Sequence, residues 1–194
     1  MPAAAPGAQA RAKRDALKRA RRNALERAKR VRLMLFDVDG VLTDGRLWYG
    51  PQGETLKAFH VLDGFGIKLL VQAGIAVGFL SGRASPAVAL RAAELGVAHL
   101  LQGNEDKRRA FEALLARLAL SPAQTGFMGD EVVDLPVLRR CGFACAPAGA
   151  HALVLARAHY VTRAAGGAGA AREVCELLLR AQGRLAGAFA GNLA

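Results

Sequence analysis

Short apolar runs ending in a polar residue alternate with stretches of helical spacing along most of this 194-residue chain, and few architectures accommodate that rhythm. Residues 31–37, 76–80, 99–102, 125–128, 143–146 and 160–162 read as strands. Helical periodicity falls at 64–73, 86–95, 105–118, 135–140 and 170–182. Strands separated by helices predict βαβ units, hence an α/β, Rossmann-like three-layer sandwich with a mostly parallel sheet. Residues 47–49 and 55–59 break the rhythm: they flank Gly50-Pro51-Gln52-Gly53 and predict a protruding β-hairpin. The cluster Gly166-Gly167-Ala168-Gly169 predicts a mobile loop before the last helix. In such sheets ligands bind beyond the carboxyl ends of the strands, so the chemistry is to be sought just after each apolar run.

Hydrophobic residues make up 53% of the chain, which excludes a disordered protein. No apolar run approaches the roughly 18 residues of a membrane span, and no secretory signal core opens the sequence. A soluble, cytoplasmic protein is expected. The formal charge of +11 is concentrated at one end: residues 1–30 hold ten Lys/Arg against Asp15 and Glu26, leaving +3 for the other 164 residues. The chain thus divides into a basic Ala/Arg-rich helix or tail (1–30), a main domain (31–185) and a C-terminal tail (186–194). A basic arm can serve nucleic acid or an anionic membrane. This one has no aromatic residue to stack on bases, so an exposed, partly frayed helix is the simpler expectation. Two acids and no serine argue against an organelle transit peptide. Cys141, Cys145 and Cys175 form no CxxC and lack zinc-spaced partners, which predicts buried thiols in a reducing compartment.

Four polar signals follow predicted strands: Asp37-Val38-Asp39-Gly40, Ser81-Gly82-Arg83, Lys107, and Gly129-Asp130-Glu131 with Asp134. All four should meet at one edge of the sheet. That edge would hold carboxylates from two strands, an oxygen-rich cluster suited to Mg²⁺. A hydroxyl and a lysine would add donors for phosphate oxygens. Each residue also has a bland role: Asp39 as a turn residue, Ser81 as a helix cap, Lys107 as a solvated side chain, Asp134 as the start of a helix.

In this order the motifs resemble the haloacid dehalogenase superfamily of phosphotransferases, from about residue 31 onward. The resemblance implies Asp37 as nucleophile, Asp39 as general acid and base, and Ser81 and Lys107 as phosphoryl-binding groups. It further implies Mg²⁺ held by Asp37, Asp130 and the main-chain carbonyl of Asp39. Glu131 and Asp134 would orient the metal waters or Lys107 from behind.

Superfamily members usually carry a cap domain. Only 41 residues separate Asp39 from Ser81, and 22 separate Lys107 from Asp130, so no cap domain is expected. The hairpin carries Leu47, Trp48, Tyr49, Leu56 and Phe59, an apolar load that predicts self-association. The stretch 43–70, the Ser81-Gly82-Arg83 element and residues 166–183 are similar to the family of 3-deoxy-D-manno-octulosonate 8-phosphate phosphatases of lipopolysaccharide sugar synthesis. That similarity implies a homotetramer and a sugar-acid phosphate touched by Asp39, His60, Val61, Leu62, Asp63, Gly64, Lys68, Arg83, Arg91 and Lys107. Arg83, Arg91 and Lys68 suit a substrate bearing both carboxylate and phosphate. Leu62, Ala168 and Glu131 depart from the family pattern. A related phosphatase of sialic acid 9-phosphate, or a nucleic-acid binder using the basic arm, are the rival expectations.

Overall fold

The computed structural model describes residues 6–190. Helix α1 (Pro6–Ala28) leads into β1 (Leu33–Phe36), and a hairpin of β2 (Trp48–Gly50) and β3 (Gly53–Leu56) follows. The chain then alternates through α2 (Val61–Gln72), β4 (Ala76–Leu80), α3 (Pro86–Leu95), β5 (His99–Leu101), α4 (Lys107–Leu118) and β6 (Thr125–Met128). It closes with α5 (Leu135–Leu138), β7 (Phe143–Ala148), α6 (Ala152–Arg157), β8 (Tyr160–Ala165), α7 (Ala170–Ala181) and α8 (Leu185–Ala190).

Six strands pair in the order β5-β4-β1-β6-β7-β8, every pair parallel. Strand β1 is apolar at every position because helices cover both faces. Leu33 and Leu35 face Phe111, Leu114, Phe127 and Leu138 on the side of α4 and α5. Met34 and Phe36 face Ile67, Leu70, Val174 and Leu178 on the side of α2 and α7. The alternation is the period of two inherent to a strand. From β1 the chain runs outward to β4 and β5, then crosses back to β6 and runs the other way. The direction of winding therefore reverses between β1 and β6, the position where such sheets bind ligands.

Helix α3 has the punctuation its sequence carries: Ser85 at the N-cap, Pro86 in the first turn, and Gly96 left-handed at φ 71°. Helix α2 begins three residues before the predicted 64, because its first turn presents the exposed Val61 and Leu62 and so hides the apolar stripe. Helix α5 stops at Leu138, and α6 and α8 lie where no helix is predicted. Both are six residues long, too short to show a period.

The basic segment is helical to Ala28, and Arg11, Arg14, Lys18, Arg19, Arg21 and Arg22 are exposed along it. Its last turns belong to the core: Ala24 and Ala28 are buried against α7 and the β7–β8 edge, their small side chains permitting close approach. The Gln182 amide, just past α7, donates to the carbonyls of Ala28 (3.2 Å) and Val31 (2.8 Å). All three cysteines are buried free thiols. Among the described residues no helix is long and apolar enough to cross a membrane.

Candidate active site

The Asp37 amide donates to the Met128 carbonyl at 2.9 Å, continuing the β1–β6 ladder one residue beyond the strand. The Val38 carbonyl then accepts from Leu42 (2.9 Å) and Thr43 (3.1 Å), folding residues 38–43 into a tight turn. Gly40 adopts φ +83°, and a Cβ there would strike the Asp130 carboxylate, so only glycine lets the two loops close on each other.

Lys107, at the start of α4, reaches Asp37 Oδ1 at 2.8 Å and Asp134 Oδ1 at 2.7 Å while only 5% exposed. Asp134 Oδ2 accepts from the amides of Asp130 (3.0 Å) and Glu131 (3.2 Å). Both Asp134 oxygens are thus engaged, and the residue braces Lys107 and the β6 loop together. Asp37, Asp130 and Asp134 each bring an oxygen within 4.8 Å of the others. Asp130 Oδ1 is buried without a hydrogen-bond partner. A buried carboxylate oxygen left open beside the Asp37 carboxylate supplies donors a hard divalent cation requires, so Asp37 and Asp130 fit Mg²⁺.

Burial, then the neighbouring Asp134 charge, push the Asp37 carboxyl up to about 7 against the pull of Lys107. The same two causes raise Asp130 to about 6. Burial alone would lower Lys107, but the Asp37 and Asp134 carboxylates outweigh it and hold its ammonium above the usual range.

Ser81 follows β4, is buried, and its hydroxyl accepts from the Arg83 amide at 3.2 Å. The Asp39 carboxylate lies outside the three-acid cluster. It turns to the Lys57 ammonium, with Arg83 Nε 3.8 Å from its second oxygen. Arg83 also donates to the Tyr49 hydroxyl (2.7 Å) and Glu54 (3.2 Å), tying the hairpin to the site. The hairpin itself stays open: Leu47, Trp48, Tyr49 and Leu56 are between 41% and 65% exposed.

Of the residues expected to touch substrate, Arg91 lines a water-sized cavity with Phe59, His60 and Gly64, and a Cβ on Gly64 would collide with its guanidinium. His60 Nδ1 is buried and unpartnered. Val61 and Leu62 are exposed. Lys68 lies on α2 near Glu94 of α3. Asp63 lines the same cavity as Arg91, and its carboxylate accepts from the amides of Gly169 (3.2 Å) and Arg172 (2.7 Å) at the start of α7. The Glu131 carboxylate accepts from the Val132 amide at 2.6 Å, capping a short turn next to Asp130.

The glycines at 166–167, expected to be mobile, are a packing contact. A Cβ on Gly166 would strike the Gly40 carbonyl, and the Gly167 amide donates to Val41 at 3.0 Å. Sequence reasoning missed this contact and also missed Lys57 and Glu54. The one signal for the pair was an ion-pair spacing of three residues, running from just after the predicted turn into the predicted second strand of the hairpin.

A parallel sheet with carboxylates after β1 and β6 and a lysine heading α4 defines a haloacid dehalogenase-like hydrolase, and residues 92–174 match the model of that family. The chain is 49% identical over 158 residues to 3-deoxy-D-manno-octulosonate 8-phosphate phosphatase of Yersinia pestis, covering 81% of this chain and 84% of that protein. The crystal structure of a Yersinia pestis protein of that name superposes with a TM-score of 0.83 at 47% identity, covering 85% of this chain and 89% of that one. The corresponding phosphatase of Moraxella catarrhalis, solved with magnesium ion, phosphate ion and KDO, superposes with a TM-score of 0.84 at 38% identity, covering 88% and 98%. The chain belongs to the family of 3-deoxy-D-manno-octulosonate 8-phosphate phosphatases.

Proposed function

We propose that this protein removes phosphate from 3-deoxy-D-manno-octulosonate 8-phosphate in a Mg²⁺-dependent reaction through an aspartyl-phosphate on Asp37, as a cytoplasmic homotetramer in lipopolysaccharide sugar synthesis. The observation that carries the reading is the Asp37 carboxylate at the tip of the central strand, 2.8 Å from Lys107 and grouped with Asp130.

Asp37 attacks phosphorus, and the bond from phosphorus to the sugar oxygen breaks. Asp39 gives its proton to the departing alkoxide. Water then attacks the aspartyl-phosphate, Asp39 takes a proton from it, and inorganic phosphate leaves with Asp37 restored. Lys107 and Ser81 bind the phosphoryl oxygens, and Asp134 keeps Lys107 aimed. Asp37, Asp130 and the Asp39 carbonyl would hold Mg²⁺, whose charge offsets the repulsion between an anionic phosphate and the attacking carboxylate. Arg83, Arg91 and Lys68 supply cations for the sugar-acid carboxylate. The exposed hairpin supplies the apolar surface for assembly.

The decisive experiment compares kcat/KM for 3-deoxy-D-manno-octulosonate 8-phosphate and sialic acid 9-phosphate, each with Mg²⁺ and with chelator. Preferred, Mg²⁺-dependent turnover of the former is expected. Preference for the latter would move the assignment to the rival sugar, and turnover undiminished by chelation would remove the metal from it.

A further inference from the structure

Lys57 lies in the linker between β3 and α2, flanked by the exposed Leu56 and Ala58, yet its own side chain is 1% exposed. Its ammonium meets Asp39 Oδ1 and stands 3.1 Å from Glu54 Oε2. Glu54 Oε2 lies 3.2 Å from Arg83 Nη2, and Arg83 Nε lies 3.8 Å from Asp39 Oδ2. Two cations and two carboxylates therefore alternate in a ring between the hairpin and the loop after β1. Burying an ammonium is costly unless it is paired. Here the main partner is the group that must handle protons.

We propose that Lys57 is a positioning residue for the reaction. It fixes the Asp39 carboxylate through Oδ1 and leaves Oδ2, loosely approached by Arg83, as the oxygen that carries the transferred proton. Because Lys57 is rooted at the base of the hairpin and held from behind by Glu54, the aim of Asp39 depends on the hairpin being seated. Burial would raise the Glu54 carboxyl, but Ser85, Lys57 and Arg83 outweigh it and hold it below the usual range, so it remains a counter-ion. The inference rests on the reading of Asp39 as acid and base.

The test uses the full chain with Lys57→Ala, Lys57→Met, Lys57→Arg, Asp39→Asn and the double variant Lys57→Met/Asp39→Asn. Methionine keeps the aliphatic stem and so retains packing if alanine unfolds the linker. Two substrates are compared: the sugar phosphate, whose alkoxide needs a proton to leave, and p-nitrophenyl phosphate, whose phenolate does not. We expect Lys57→Met to lower kcat on the sugar phosphate by roughly 10- to 10²-fold, with KM changed by less than about twofold. The loss should shrink on p-nitrophenyl phosphate, Lys57→Arg should recover part of it, and Lys57→Met should add nothing in the Asp39→Asn background. No loss, an equal loss on both substrates, a loss confined to KM, or additive losses would each overturn the role of Lys57. Full turnover by Asp39→Asn alone would overturn the acid–base reading beneath it, a separate result.

Discussion

At the scale of single residues, the site hangs on one buried ammonium shared by two carboxylates. Lys107→Met should lower kcat by about 10²–10³-fold, the usual effect of removing one preorganised charge, and steady-state phosphate release measures it. Asp37→Asn should abolish turnover with the thermal melt retained, because the amide keeps the shape and loses the nucleophile; residual turnover would assign the attack elsewhere. Asp37, Asp39, Ser81 and Asp130 were legible as candidates because they sit in linear motifs directly after strands. The contacts made by Lys57 and Asp63 were not legible. Lys57 binds a partner 18 positions away, and Asp63 caps amides 106 and 109 positions away. Such pairings are created by the fold, and no local pattern announces them.

At the scale of elements, the strand-to-loop junctions matter most. Gly166→Ala would push a methyl into the Gly40 carbonyl, backbone against backbone, on the turn that carries Asp37 and Asp39. We expect a stability loss of about 1–3 kcal/mol together with reduced kcat, read from denaturant unfolding and phosphate release. An unchanged enzyme would show that the two loops can part freely. Sequence composition marked these glycines as a flexible connection because it records the absence of side chains, whereas the structure shows what fills that absence. Strand cores and their order of use were legible from apolar runs. Helix ends were less so where exposed apolar residues such as Val61 and Leu62 blur the stripe.

At the scale of the whole molecule, protons and cations compete for one cluster. Asp37 and Asp130 have folded values of about 7 and about 6, above the ordinary 3.8. A raised carboxyl contributes stability that is complete below the unfolded value and is lost as pH climbs through the folded one. The cation-free protein should therefore lose stability from about pH 4 to about pH 7 through these two groups, and a bound divalent ion should restore it. The gain in melting temperature on adding Mg²⁺ should accordingly be larger at pH 8 than at pH 5.5. Equal gains would place the ion away from these acids. Assembly is tested by light scattering: a tetramer of the 20.4 kDa chain is expected, with Trp48→Arg shifting the mass toward the monomer.

The Gln182 amide joins the end of α1 to the end of α7. Both lie at the amino ends of the strands, on the floor of the sheet, remote from the phosphate mouth. Cutting that tie, as in Gln182→Ala, should therefore loosen the end of the basic helix at the floor and leave the chemistry at the mouth untouched.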